Sequence, residues 1–351
     1  MGKNKLAMFD AKPYDIESFN NVNEKFGFNM DIHYYPNHLT QDTVLLTKGF
    51  EAVCVFVNDT VDKPVIEKLY ENGVRLLALR SAGYNNVDLQ TIYQKIHVVR
   101  VPAYSPYAVA EHAVALMMAL NRKTHKAYFR TRDNNFTLNK LLGFDMYGKT
   151  AGIIGTGKIG KITAQILRGF GMKVLAYDVY QDTDFAQKSG VIYTDLDTLY
   201  NESDIISLHN PLTPENVHMI NSESIAKMKD GVMIINTGRG KLINTKDLIG
   251  GLKSHKIGYA GLDVYEEEGD YFFEDFSADA ISDDVLARLM TFPNVLVTAH
   301  QAFFTKEALE NIAKTTLENI KSFFDDSKLV NEICYRCSEG ACHREKTGKC
   351  F

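Results

Sequence analysis

The 351-residue chain lacks any apolar stretch of membrane-spanning length. Its longest uncharged apolar run, residues 113–120, is far short of the roughly 20 residues a bilayer requires. The opening MGKNKLAMFD has no apolar core of signal-peptide size, and Leu6 stands where a myristoylation site needs Ser or Thr. There is no excess of positive charge: 39 Lys and Arg face 44 Asp and Glu, for a net charge of −5. That balance gives no electrostatic reason to expect nucleic acid or an anionic membrane as a partner. Cysteine is scarce and oddly placed, with one at Cys54 and four in the last 18 of the residues, which is not the framework of a disulfide-stapled secreted fold. Tandem repeats and low-complexity linkers are also missing. The expectation is a cytoplasmic globular protein of about two domains, each with its own core.

What the chain does have is centred on residues 150–178, TAGIIGTGKIGKITAQILRGFGMKVLAYD. An apolar run enters Gly155-x-Gly157-x-x-Gly160, and Ile159, Ile162, Ile166 and Phe170 follow at helical spacing. A second apolar run then ends on Asp178. Strand, glycine turn, helix, strand and acid together make a dinucleotide site. Gly155 permits the turn, Gly157 lets a pyrophosphate approach the backbone, and Gly160 lets the helix pack on the sheet. Around them Thr156, Lys158 and Ile159 supply the first helical N–H groups. Asp178 lies 21 positions beyond Gly157, where a carboxylate accepts ribose hydroxyls and repels a 2′-phosphate, so the cofactor is NAD rather than NADP.

Upstream, apolar runs at residues 6–9, 31–35, 52–57, 76–79 and 98–101 alternate with amphipathic stretches, which implies a second parallel α/β unit without the glycine pattern. A helix begins at Ser105-Pro106 and runs to about Phe129, apolar nearly all round at its centre. After Asp178, further strand-like runs fall at residues 205–208, 232–235, 258–262 and 295–298, while residues 306–324 read as an amphipathic helix able to return to the first unit. The fold expected is α/β, with two Rossmann-like doubly wound parallel sheets and the nucleotide domain inserted into a discontinuous one. The boundaries expected are 1–101 with 301–333 for the substrate-binding domain, 102–300 for the NAD domain, and 334–351 for a Cys-rich tail.

Three stretches fall where strands should end beside the cofactor: NTGRG (236–240), GLDVYEEE (261–268) and TAHQAFF (298–304). They bring an arginine, a cluster of carboxylates and a histidine to one sheet edge, a set suited to reducing a 2-keto acid. A guanidinium grips a carboxylate through two parallel hydrogen bonds, and an imidazolium protonates the alkoxide that hydride transfer creates. Taken singly, Arg239 reads equally as a turn arginine, His300 as a structural histidine, and Asp263, Glu266, Glu267 and Glu268 as a solvated acidic turn. Only their combination argues for catalysis. His209, after a strand end, is a candidate cofactor contact.

The stretches RSAGYNNVDL, VPAYSPYAVAEHA, GTGKIG, SLHNPLTPEN, MIINTGRG, LDVYEEE and TAHQAFF resemble the D-isomer-specific 2-hydroxyacid dehydrogenases, and most of all the fermentative D-lactate branch. The resemblance runs from Lys5 to about Asn331 and implies NADH-dependent reduction of pyruvate to D-lactate. By it, Arg239 binds the substrate carboxylate and His300 is the acid/base. Its pairing carboxylate lies five positions beyond Asp263, at Glu268. Thr156, His209, Asn210, Pro211, Thr237, Gly238 and Asp263 join the glycine loop around the cofactor. Ala82 and Gly83 offer backbone amides to the substrate, while Tyr104 and Phe303, with Phe56, wall its small side chain. A homo-oligomer, dimer or tetramer, is implied as well. Two other readings stay open: a sister enzyme for a larger 2-keto acid, and a non-catalytic NAD(H)-sensing scaffold.

Two departures stand out. Gly238 precedes Arg239 where the family commonly has serine. In the tail, Cys334-x-x-Cys337, Cys342-His343 and Cys350 have thiols suited to zinc or iron. No second C-x-x-C completes that pattern and the segment lies beyond the catalytic fold, so a mobile or redox-sensitive tail is expected and no metal is assigned.

Overall fold

Every strand of the chain pairs in parallel in the computed structural model, which describes residues 4–337, 342 and 344–351. The first sheet contains β1 (Lys5–Met8), β2 (Asp31–Tyr34), β3 (Ala52–Val55), β4 (Leu76–Leu79) and β5 (His97–Val99), in the order β2-β1-β3-β4-β5. β3 and β4 are buried at every position, which is why they read as continuous apolar runs rather than alternating ones. The connecting helices are punctuated locally. Asp62 accepts the Val65 N–H to cap Lys63–Glu71, and Gly73, at φ +96°, carries the chain out of that helix.

The second sheet contains β6 (Thr150–Ile154), β7 (Lys173–Tyr177), β8 (Ile192–Tyr193), β9 (Ile205–Leu208), β10 (Val232–Asn236), β11 (Ile257–Leu262) and β12 (Val295–Val297). Its order, β12-β11-β10-β9-β6-β7-β8, reverses direction between β6 and β9, and ligands bind at such a switch point beyond the carboxyl ends of the strands. The two-residue β8 was not legible as a strand. Helix Pro106–Arg122 buries Ala113, Leu116, Met117 and Leu120 with Ile153, Ile205 and Ile235 of this sheet. It does not run on to Phe129. Lys123 adopts the left-handed conformation at φ +52°, its ammonium group bonding the Leu142 carbonyl, and a separate helix, Thr124–Arg132, follows.

The chain divides into two compact units, residues 1–105 with 304–351, and residues 106–303. Residues 102–105 thus go with the first unit and 301–303 with the second, where Asp263 holds the Gln301 and Ala302 N–H groups. Helix Lys306–Phe324 packs in the first unit, with Ala313, Leu317 and Ile320 against Phe19, Val22, Leu76 and Ala78. The expectation of a separate tail from residue 334 is corrected. Ile333 N–H donates to the Val98 carbonyl, Glu332 bridges Val99, and Phe351 stacks on His97 with ring centroids 4.3 Å apart. Cys334 and Cys350 are buried, so this segment completes the first core.

Candidate active site

The glycine loop leaves β6 at Gly155, whose φ of +94° suits glycine and whose absent Cβ would lie 2.4 Å from the Asn210 nitrogen. A Cβ at Gly160 would meet the Gly155 carbonyl oxygen at 1.9 Å, so helix and turn touch backbone to backbone. Gly157 has nothing within 4 Å of that position. It is the N-cap of helix Lys158–Gly169 and supplies no capping side chain, so the first N–H groups, those of Lys158 and Ile159 among them, are left for an anion. Asp178, at the end of β7, accepts the Thr156 N–H at 2.5 Å and the Thr156 hydroxyl at 3.1 Å, which fixes its carboxylate over the loop.

Beyond β9, His209 N–H donates to the Ile154 carbonyl and its Nε2 lies 2.9 Å from the Ser207 hydroxyl. Burial pushes this imidazole down to about 4, so it is neutral at physiological pH. Pro211 follows, its carbonyl accepting from Asn210 and Asn216 side-chain amides. Two buried polar atoms near this edge, Asn210 Oδ1 and Thr237 Oγ1, have no protein hydrogen-bond partner. Orphaned groups beside an open glycine cradle fit a polar dinucleotide that would satisfy them.

β10 ends on Asn236, whose side chain accepts the Gly238 N–H and donates to the Arg239 carbonyl. These two bonds set the turn that projects Arg239. Gly240 is required there, because a Cβ would fall 2.0 Å from the Tyr265 carbonyl oxygen. Gly238 has room for one, with its nearest neighbours at 3.5 Å or more, so the missing serine is not excluded by space.

Asp263 follows the end of β11 and is fully buried. Its carboxylate accepts from the Thr298 hydroxyl at 2.5 Å and from the Gln301 and Ala302 N–H groups at 2.9 and 2.8 Å, with His112 Nε2 3.3 Å away. These bonds tie the Asp263 oxygens to the 298–302 turn. That turn holds His300 at φ +50°, an uncommon conformation for a side-chain-bearing residue, with its N–H bonded to the Asp263 carbonyl at 2.8 Å. His300 Nδ1 then lies 2.9 Å from Glu268 Oε1, while Glu268 Oε2 accepts the Tyr265 N–H. Of the other carboxylates, Glu266 is bound to His218 and to the Thr245 N–H, and Glu267 is exposed. A carboxylate on Nδ1 fixes the tautomer and leaves Nε2 to exchange a proton with a ligand.

The sequence reading missed three members of this constellation. His112 and Thr298 brace Asp263, although His112 lies 186 positions from Thr298 along the chain. Phe273 sits 6.0 Å from the His300 ring and 6.4 Å from Phe303. His112 and Thr298 lie inside the VPAYSPYAVAEHA and TAHQAFF stretches, but nothing local gives them this bracing role, and Phe273 lies in no such stretch. Ala82, Gly83 and Tyr104 belong to the first unit. There the Ala82 carbonyl accepts from Arg100, the Gly83 carbonyl from the Ser81 hydroxyl, and the Tyr104 carbonyl from Asn311.

Residues 114–302 match the family model for the D-isomer specific 2-hydroxyacid dehydrogenase NAD binding domain. The chain belongs to the D-isomer-specific 2-hydroxyacid dehydrogenases. Within this family it is 53% identical to the D-lactate dehydrogenase of Escherichia coli, covering 94% of this chain and 99% of that one. The pyruvate reductase of Chlamydomonas reinhardtii superposes with a TM-score of 0.89 at 42% identity, over 94% and 98% of the two chains. The NAD-complexed D-isomer specific 2-hydroxyacid dehydrogenase of Lactobacillus delbrueckii ssp. bulgaricus superposes at 0.79 with 32% identity, over 94% and 100%. As a member of this family the chain is an NAD-dependent oxidoreductase.

Proposed function

We propose that this enzyme reduces pyruvate to D-lactate with NADH, reversibly, with Arg239 anchoring the carboxylate and His300 paired to Glu268 as acid/base. The observation that carries the catalytic part is the 2.9 Å contact between His300 Nδ1 and Glu268 Oε1. When bound, NADH supplies the hydride for the keto carbon. The chain's own residues do the remainder. Arg239 forms two charge-assisted hydrogen bonds to the substrate carboxylate and so orients the carbonyl. His300 Nε2 donates a proton to the developing alkoxide, and in lactate oxidation it takes that proton back. Glu268 keeps Nδ1 protonated and the ring aimed. Thr156, Lys158, Ile159, His209, Asn210, Pro211, Thr237 and Gly238 hold the dinucleotide. Phe303 contacts the substrate in this reading.

The substrate is assigned from the named relatives, a D-lactate dehydrogenase and a pyruvate reductase, together with the aromatic side chains near His300. The test is NADH oxidation against a graded series of 2-keto acids, with the product's chirality determined. Highest kcat/KM with pyruvate and formation of D-lactate are expected. Preference for a branched or aromatic 2-keto acid would reassign the substrate, and absence of turnover with NADH bound would favour a sensing scaffold.

The proposal extends to a cytoplasmic homo-oligomer, dimer or tetramer. No helix among the described residues is long and apolar enough to cross a membrane. In the second unit, Phe129, Phe136, Leu138, Leu142 and Tyr147 are all at least 66% exposed within residues 129–147, an apolar concentration that a second copy would cover. Sedimentation equilibrium should give a multiple of the chain mass, whereas a monomer at all concentrations would remove this part of the reading.

A further inference from the structure

Nothing in the dehydrogenase reading uses the four cysteines at the end of the chain. They spread over the 16 positions from Cys334 to Cys350, yet the fold gathers their sulfurs into one cluster. Cys334 and Cys337 Sγ are 3.7 Å apart, Cys334 and Cys342 3.7 Å, Cys337 and Cys350 4.0 Å, and Cys342 and Cys350 3.4 Å. All four ligand atoms lie within 4.8 Å of one another. We propose that Cys334, Cys337, Cys342 and Cys350 form a tetrahedral tetrathiolate site for one thiophilic divalent metal ion of the zinc class.

The separations argue for this directly. With Zn–S bonds of about 2.3 Å, the edge of an ideal S4 tetrahedron is about 3.8 Å. The four separations of 3.4–4.0 Å differ from it by a few tenths of an ångström, and the remaining two, within 4.8 Å, by no more than about 1 Å. A disulfide requires about 2.05 Å, and all four thiols are free. Backbone donors also reach two of the sulfurs. The Cys334 N–H donates to Cys337 Sγ at 3.4 Å and the Arg344 N–H to Cys342 Sγ at 3.5 Å. An all-sulfur donor set selects zinc or iron over magnesium or calcium. Four protein ligands leave no open position, so the site is structural. Binding converts thiols to thiolates and releases their protons to solvent. His343, adjacent to Cys342 in sequence, lies outside the described residues.

The site has a mechanical consequence within the first unit. Glu332, fully buried, accepts the Cys350 N–H at 2.5 Å and contacts His97 Nδ1 at 2.6 Å. The Leu329 N–H donates to the Gly348 carbonyl. One ion joining residues 334, 337, 342 and 350 closes this segment on itself beside β5 and holds it there, as a staple formed after synthesis.

The test is metal analysis of the full-length protein purified under reducing conditions without chelator, followed by replacement with Co2+. About one zinc per chain is expected, with the ligand-field and sulfur-to-cobalt charge-transfer absorption of tetrahedral cobalt thiolate after exchange. Cys337→Ser and Cys342→Ser should each lose the ion, and Cys54→Ser, at a buried β3 position outside the cluster, should keep it. Iron at the same stoichiometry and with the same cysteine dependence supports the site and changes only its ion. Absence of stoichiometric metal in the wild-type protein with no cobalt–thiolate spectrum overturns the proposal, as does metal retained by both serine variants. An intact mass showing two disulfides in the freshly purified protein overturns it too, and needs no variant to fold.

Discussion

His300 and Glu268 are 2.9 Å apart, Nδ1 to Oε1, although 32 positions separate them in sequence. Neither is placed by its own local preference. His300 is forced to a positive φ by the turn that Asp263 organises, and Glu268 is turned inward by the Tyr265 N–H. The pair is therefore a product of the β11 and β12 loops acting together, and the energetic consequences can be tested separately.

For the cofactor, the decisive group is Asp178. Its carboxylate is fixed over the glycine loop by Thr156 and would face a 2′-phosphate with like charge. NADH should be strongly preferred to NADPH in kcat/KM, and Asp178→Ala should narrow the ratio mainly by weakening NADH. Equal efficiency with both cofactors in the unmodified enzyme would remove Asp178 from this role.

Arg239→Lys retains the charge and loses the planar fork. One charge-assisted hydrogen bond is worth about 1.5–3 kcal/mol, so kcat/KM for pyruvate should fall roughly 10- to 150-fold. NADH affinity, measured by fluorescence titration, should barely change. A collapse of NADH binding with normal turnover at saturation would instead place Arg239 on the cofactor.

Asp263 holds the turn that carries His300. Asp263→Ala strips the acceptor from two N–H groups of the 298–302 turn, at about 1–3 kcal/mol for each buried group left unpaired. The expected signature is a lower kcat with a nearly unchanged KM for NADH, accompanied by a lower Tm. Thr298→Val, which removes a single hydroxyl contact, should show the same pattern more weakly. A variant with raised KM for NADH and intact kcat would show that Asp263 meets the cofactor after all.

In the first unit, fully buried Arg80 donates to the Phe9 and Asp10 carbonyls and lies 3.4 Å from Asp15. Burial raises Asp15 and pushes Asp59 up to about 6, with Arg80 opposing both shifts. Because that value exceeds the model-peptide 3.8, the proton on Asp59 stabilises the fold fully below about pH 4. This contribution is lost as pH rises through about 6. Arg80→Leu should cost about 3–5 kcal/mol at pH 7 by leaving carboxylates buried without their counter-charge. The deficit should shrink at pH 5, where protonation neutralises them. Denaturant melts at the two pH values check this, and equal deficits would show that the carboxylates are not what the guanidinium compensates.

Much of this was legible in the sequence for physical reasons. The two parallel sheets announce themselves because doubly buried strands such as β3 and β4 are apolar at every position. The glycine loop is legible because Gly155 and Gly160 each stand where a Cβ would strike backbone. Arg239 and His300 were legible only in combination with the acidic cluster at one sheet edge, and the family motif singled out Glu268 within that cluster. What stayed hidden depends on long-range packing. The break at Lys123, the bracing of Asp263 by His112 and the place of Phe273 beside His300 carry no local signature. The cysteines were visible as a pattern, but their convergence was not, because Glu332 and the edge of β5 fold the segment back.

The most direct test of the account is a double-mutant cycle on the acid/base pair, reading kcat/KM for pyruvate with NADH saturating. General acid catalysis contributes about 10²–10⁴-fold, so His300→Asn should lose activity on that scale with NADH binding intact. Glu268→Gln alone should also be strongly impaired, because the imidazole loses the partner that orients it. If the two side chains act as one unit, adding Glu268→Gln to His300→Asn should cost almost nothing further. Losses that multiply in the double variant would contradict the pairing and show that Glu268 serves the reaction, or the fold, independently of His300.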